Sequence, residues 1–363
     1  MRLRTIDLFS GIGGNSYALH DLCKTVAYCE LKEDCHAILN TRMKAGDIDT
    51  APIWPDVTTF HPAKYEPTAV LASFPCQDIS AAGHGKGLDG ERSGLFFEIV
   101  RIVDECKKIK MVMMENSPMI KTLGLDVVIH ELTKRGFTCR WGYFTASEVG
   151  ALHQRKRWVM VAFKGNPPKL LGKPPAHAWG ASSRVPRLVP HPSRTTKSAN
   201  IKRMQCLGNS VVPQCIAYAY DRLTSTPAPA FDVCVGDILK FNEDAFLYQA
   251  EKGGKTMCTP KPRSPFPRHR ITISYEGYGG KPIHRQSFST PVHGATHYSM
   301  HVSISCERSN GMIGIQILYD RETQRRFNPT GKLTMQDMQD KFMLNPCFIE
   351  HLMGYPKNWT LAR

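Results

Sequence analysis

The chain has 363 residues, 42% hydrophobic and 22% charged, with 47 lysines and arginines against 32 acidic residues, a formal net charge of +15. That balance excludes a disordered chain, and the length suits a catalytic domain plus a smaller accessory one at ~150 residues each. No apolar run approaches the ~20 residues of a membrane span, and the first residues lack the apolar core of a signal peptide, so a soluble intracellular protein is expected.

The charge is unevenly placed. Residues 1–165 hold 21 basic and 19 acidic side chains, and 166–363 hold 26 and 13. A cationic partner surface is therefore expected in the second half, and nucleic acid is the commonest polyanion to meet one; a merely basic soluble domain is the alternative. The 12 cysteines contain no Cys-x-x-Cys pair and the 14 histidines no His-Glu-x-x-His, so reduced thiols and no metal site are expected.

In chain order, Arg4 to Phe9 reads as a strand that runs into Ser10-Gly11-Ile12-Gly13-Gly14, and Asn15 to Cys23 has helical spacing. A second strand, Thr25 to Cys29, ends on Glu30, and Lys32 to Thr41 is helical. Ala69 to Ser73, Met111 to Met114 and Val159 to Phe163 read as further strands, with helices at Ser93 to Lys107 and Leu125 to Lys134. This alternation predicts an α/β fold with a parallel sheet and a ligand at the carboxyl ends of its strands. Residues 166–200 form a basic, proline-rich linker. Residues 201–223 return to order, with Gly208-Asn209-Ser210 opening a helix from Val211. Residues 224–363 read as short β runs ending in a helix over Thr334 to Met353.

Four groups of residues carry chemistry. Glycines after the first strand let the backbone approach a ligand, and Glu30 at the end of the second is placed to accept from ribose hydroxyls; an ordinary turn is the plain alternative. Cys76, in Pro75-Cys76-Gln77, stands at a strand end as a potential nucleophile, where a buried structural thiol is the bland reading. Glu115-Asn116 brings a carboxyl group to the same sheet edge. His153-Gln154-Arg155-Lys156-Arg157 brings fixed cations.

These motifs, in this order over residues 1–220, resemble the DNA cytosine-5 methyltransferases. The turn around Phe9 and Gly11 resembles the family's S-adenosylmethionine loop and Pro75-Cys76 its catalytic segment. Glu115-Asn116 resembles its Glu-Asn pair, His153-x-Arg155-x-Arg157 its Gln-x-Arg-x-Arg element, and Gly208-Asn209-Ser210-Val211 its Gly-Asn-Ser-Val motif. Histidine at 153 and Ser117 depart from the usual glutamine and valine. The segment Asn345 to Pro356 resembles an element that normally precedes Gly-Asn-Ser, and its late position is similar to the enzymes of large algal, chlorella-type viruses.

The resemblance implies a Rossmann-like S-adenosylmethionine-dependent methyltransferase domain over 1–165, completed by 201–223, with a smaller, mostly β target-recognition domain over 224–363. It implies S-adenosylmethionine as cofactor, held by Phe9, Gly11, Gly13, Gly14, Glu30, Asp56, Val57, Pro75, Asn209 and Ser210. Cys76, Glu115, Arg155 and Arg157 are the implied catalytic residues, with Asn116 orienting the Pro75-Cys76 segment. Duplex DNA is the expected substrate, bound by a monomer, with a cognate restriction endonuclease as functional partner. Ser80 to Arg92 is the expected lid over a flipped cytosine, and Lys255, Lys261, Arg263, Arg268 and Arg270 are expected to meet phosphates. An RNA cytosine-5 methyltransferase, a catalytically silent DNA-binding protein and a nicotinamide oxidoreductase are the competing readings.

Overall fold

The computed structural model describes residues 2–75, 94–151, 153–170, 175, 188–190, 194–225, 231–233, 246–251, 256–262, 269–276, 282–285, 299–306, 312–313 and 342–362. Cys76 and the segment 80–92 lie outside them.

Seven strands of the first half are β1 (Leu3–Leu8), β2 (Cys23–Cys29), β3 (Ile53–Trp54), β4 (Ala69–Ala72), β5 (Met111–Asn116), β6 (Thr138–Phe144) and β7 (Arg157–Phe163). Short β8 (Leu188–Pro190) and β9 (Phe231–Val233) are followed by β10 (Phe246–Ala250) and β11 (Thr256–Pro260). Among the described residues, ten strands form one sheet in the order β3-β2-β1-β4-β5-β7-β6-β10-β11-β9. A second sheet contains β12 (His269–Glu276), β13 (Pro282–Arg285), β14 (Ser299–Cys306) and β15 (Met312–Ile313). β16 (Phe342–Leu344) pairs with β8, so a strand occupies part of the helix expected over Thr334 to Met353.

The helices are α1 (Gly14–Ala18), α2 (Glu33–Ala45), α3 (Phe96–Glu105), α4 (Ile120–Leu123), α5 (Leu125–Thr133), α6 (Arg194–Gly208), α7 (Pro213–Ser225) and α8 (Pro346–Leu352). They explain why the central strands are apolar on every residue rather than on alternate ones. Leu71, Met113 and Val161 face the cluster formed with α1, α2, α6 and α7. Val70, Val112 and Met160, one residue away, face the cluster formed with α3 and α5. Both faces of the sheet are core.

Among the strands of the first half, the expected parallel sheet is corrected at one strand, and β10 and β9 of the second half also run against it. β1, β2, β3, β4 and β5 are parallel, whereas β7 runs antiparallel to both β5 and β6. β6, which the sequence reading missed, turns back through Ala146–Val149 and inserts β7 beside β5. The start of β7 therefore lies at the carboxyl edge of its neighbours, with Asn116 opposite Trp158.

The division at residue 224 is also redrawn. β10 pairs with β6 and continues the main sheet, with Arg140 donating to Gln249 at 2.6 Å. The tail, residues 345–362, packs on the first half. Trp359 is fully buried and its indole donates to the Ile12 carbonyl at 3.0 Å. Gln214 donates to the Gly354 carbonyl at 2.7 Å. The helix α6 begins at Arg194, inside the stretch whose prolines read as linker. The last proline of that stretch is Pro192, so a helix can begin two residues later, and a buried tryptophan needs a core that its own neighbourhood does not supply.

Candidate active site

The strand ends converge on a cavity of about 520 Å³. β1 delivers Phe9 and Gly11, β2 delivers Glu30, β4 delivers Ser73, Phe74 and Pro75, β5 delivers Glu115 and Asn116, and the reversed β7 delivers Arg155 and Arg157. Asp56, Val57 and Asn209 complete the sequence-derived residues on its wall.

The glycine turn is held open by strained backbone. Phe9 has φ 54°, Gly11 φ 54° and Gly13 φ 80°, values at which side-chain-bearing residues are uncommon. Glu30 fastens the turn: its Oε2 accepts from the Gly11 N–H at 2.7 Å and its Oε1 from the Lys32 N–H at 2.9 Å. Each carboxylate oxygen keeps acceptor capacity toward the cavity. Asp56 uses Oδ1 to cap the following turn, accepting from Thr58 N–H at 2.9 Å.

Gly13, Gly14 and Ser210 are not on the cavity wall. A Cβ on Gly14 would lie 2.3 Å from the Tyr355 hydroxyl and 2.6 Å from Val211 Cγ2, so this glycine admits the tail and packs rather than binds. Gly13 lies under Leu39 and Ile48. The Ser210 hydroxyl donates to the Leu207 carbonyl at 2.8 Å.

On the opposite wall, Glu115 is buried and pairs with Arg157, Nε to Oε1 2.9 Å. Arg157 also donates from Nη1 to the Lys156 carbonyl at 2.8 Å. Arg155, just before β7, lines the cavity while its Nη2 donates to the carbonyls of Gly208 at 2.9 Å and Ser210 at 2.5 Å, which ties it to the Gly-Asn-Ser turn. Asn116 Nδ2 donates to the Phe74 carbonyl at 3.4 Å and Asn15 Nδ2 to Ser73 Oγ at 3.1 Å. The segment leading into Cys76 is thus held from two sides.

His153 donates from Nε2 to the Leu352 carbonyl at 2.6 Å, a bond that a glutamine amide also offers. Burial holds its imidazole below the ordinary range, consistent with a neutral donor there. Sequence reasoning missed Leu31, which lines the cavity while 74% exposed; its place directly after the strand-end Glu30 was the available signal. It also missed Tyr355 and Trp359, whose partners are hundreds of residues away.

Lys261 is corrected as a phosphate contact. Its side chain is 4% exposed, and Nζ donates to the Tyr143 carbonyl at 2.6 Å and to Glu148 at 2.7 and 2.9 Å, bracing the turn between β6 and β7. Lys255, Arg263 and Arg268 lie outside the described residues, and Arg270 lies on β12. Replacing Lys261 with methionine is expected to cost about 3 kcal/mol, because Glu148 loses its buried partner. The salt dependence of DNA affinity should stay unchanged; a slope shallower by about one with an unaltered melting temperature would restore the phosphate role.

Asp7, beneath the glycine turn, is fully buried and its Oδ2 accepts from Ser16 Oγ at 2.7 Å. Burial pushes its carboxyl up to about 7, against ~3.9 unfolded. The folded state therefore binds this proton more tightly, and its stabilising effect, present near pH 4, is lost as pH rises through 7. Full loss is on the order of 4 kcal/mol. Urea midpoints should fall more steeply from pH 5 to 8 in the wild type than in Asp7→Asn, and parallel profiles would refute this.

An anchored carboxylate at Glu30, a glycine turn, a Glu115–Arg157 pair and the strand-end Pro75 surround one cavity at the carboxyl edge of a Rossmann-like sheet, the layout of a methyltransferase fold. Residues 3–205 match the family described as C-5 cytosine-specific DNA methylase, and the chain belongs to that family. The type II methyltransferase M.CviJI of Paramecium bursaria Chlorella virus IL3A is 34% identical over 228 residues, covering 61% of this chain and 60% of the relative. M.HhaI of Haemophilus parahaemolyticus is 31% identical over 169 residues, covering 45% of this chain and 50% of the relative. The S. pombe Dnmt2 methyltransferase structure aligns with TM-score 0.39 at 20% identity over 46% of this chain and 53% of that one. The chain spans about half the length of the curated relatives it matches. No described helix is long and apolar enough to cross a membrane.

Proposed function

We propose that the protein transfers a methyl group from S-adenosylmethionine to C5 of a cytosine flipped out of duplex DNA, through a covalent Cys76 adduct. The observation that carries this reading is the Glu115–Arg157 pair, 2.9 Å apart, facing the same cavity as Glu30, Gly11 and Pro75.

The residues present suit the cofactor. Glu30 offers anchored lone pairs for ribose hydroxyls, Leu31 and Val57 offer apolar surface for a base, and Phe9, Gly11 and Asn209 border the space between. When bound, S-adenosylmethionine supplies an electrophilic methyl group.

Cytosine C5 is a weak nucleophile, so it must first be activated. Cys76, as thiolate, adds to C6, and the ring electrons move toward N3 and O2. Glu115 delivers a proton to N3 as that nitrogen becomes basic. Arg157, whose Nε is fixed on Glu115, keeps further N–H groups for the O2 charge. The resulting enamine-like C5 would then take the methyl group of the cofactor bordered by Glu30, Gly11 and Asn209, as the methyl–sulfur bond breaks and its electron pair leaves on the sulfur. A base, such as water, takes the C5 proton, the electrons of that bond expel the Cys76 sulfur, and the N3 proton returns to Glu115, which restores the aromatic ring. Duplex cytosine hides C6 in the stack, so the base must leave it, at a few kcal/mol of unstacking.

The test offers the protein tritiated S-adenosylmethionine with duplex DNA, single-stranded DNA or tRNA. Label on cytosine C5 of duplex DNA is expected. Label in tRNA alone would overturn the substrate, and label in none would overturn the enzyme.

A further inference from the structure

One wall of the cavity contains a pair of thiols for which the methyl-transfer chemistry has no use. Cys35 lies in the first turn of α2, shortly after Glu30 and Lys32, and Cys206 in the last turn of α6, two residues before Gly208. Both are buried, both line the cavity, and their sulfurs are 3.6 Å apart. The two helices are also tied at the surface by Lys202 and Asp34, 2.9 Å apart.

We propose that Cys35 and Cys206 form a redox-responsive dithiol that closes to a disulfide under a hydroperoxide and weakens cofactor binding while closed. The cavity gives an oxidant a route to sulfurs that the outer surface hides. The two thiols share a hydrogen bond, and that contact holds the Cys206 thiol below its ordinary value. Burial, by contrast, pushes the Cys23 and Cys215 thiols up to about 12. Thiolate character selects the sulfur that reacts.

The steps balance. Cys206 sulfur attacks one peroxide oxygen, the O–O bond breaks, and the other oxygen leaves as water or alcohol after taking up a proton. Cys35 sulfur then displaces water from the Cys206 sulfenic acid. The two sulfurs supply both electrons, and an external thiol reverses the reaction by exchange.

A disulfide bond is ~2.05 Å long, so the sulfurs must approach by about 1.5 Å. That movement draws the end of α6, with Gly208 and Asn209, toward the Glu30–Lys32 turn. Both segments line the proposed cofactor site, so the effect on binding rests on that reading.

The experiment treats the full chain with hydrogen peroxide, alkylates it after denaturation and maps its peptides by mass spectrometry. Calorimetry with S-adenosylmethionine runs in parallel. The expected result is a linked Cys35–Cys206 peptide, two hydrogens lighter than its reduced parts, removed by dithiothreitol and not formed in Cys206→Ser or Cys35→Ser. Oxidation should weaken wild-type affinity about tenfold and leave Cys206→Ser unchanged, which separates the effect from oxidation of Cys76. Failure to form the linked peptide, or its formation at unchanged affinity, overturns the proposal. A reduced protein that bound no S-adenosylmethionine would count against the cofactor reading alone, since the linked peptide still decides the dithiol.

Discussion

Replacing Cys76 with alanine is expected to lower kcat for methyl transfer by about 10⁴-fold or more, because removing a nucleophile ends the covalent route rather than weakening it. S-adenosylmethionine affinity should stay within about twofold of wild type, since Glu30, Gly11 and Asn209 are untouched. Glu115→Gln should also lose most of its turnover, as the amide has no acidic proton to deliver to N3, while Arg157 keeps an oxygen to pair with. Single-turnover kinetics with labelled cofactor measure both. Methylation by Cys76→Ala at a rate near wild type would refute covalent activation.

The second large effect concerns the tail. Glu350 is fully buried and accepts from Arg203 at 3.0 Å, from the Asn358 N–H at 2.7 Å, and from the Thr360 N–H and hydroxyl at 2.8 and 2.6 Å. Glu350→Ala leaves the Arg203 charge and two backbone donors without their acceptor, which should cost about 3–5 kcal/mol. Trp359 reports it directly: its emission should shift to the red as the tail leaves Ile12. The double variant Glu350→Leu with Arg203→Met removes both charges and should recover part of the loss. A change under about 0.5 kcal/mol in Glu350→Ala would mean that the tail is held without this network.

The site was more legible in the sequence than the packing that supports it. Phe9, Glu30, Pro75 and Glu115 each end a run of β character, and the carboxyl-edge rule for α/β sheets brings them together from sequence alone. Arg157 is instructive because it begins a strand. In an all-parallel sheet it would stand at the far edge, and only the antiparallel β7 places it against Glu115. Hydrophobic pattern cannot show that direction, because a strand with both faces buried reads the same either way. β6 was missed because Arg140 and Gly142 interrupt its apolar run; Arg140 is explained by Gln249 on β10.

Long-range partners account for the other differences. Gly14 reads as a ligand glycine until Tyr355 is seen against it. Lys261 reads as a phosphate contact until Glu148 is seen around its ammonium. The tail reads as the end of a recognition domain, yet it packs on the first half, with Tyr355 and Val211 both against Gly14.

The central claim is that Cys76 bonds to the cytosine ring before the methyl group moves. It is tested most directly with duplex DNA of mixed sequence in which every cytosine is 5-fluorocytosine. The protein and S-adenosylmethionine are incubated with it, denatured and separated by size. Fluorine cannot leave C5 as the proton does, so the ring cannot be restored. The account predicts a complex that survives denaturation, contains the methyl group, maps to Cys76 and is absent from Cys76→Ala. Normal methylation of cytosine duplexes with no trapped complex on the fluorinated ones would contradict it.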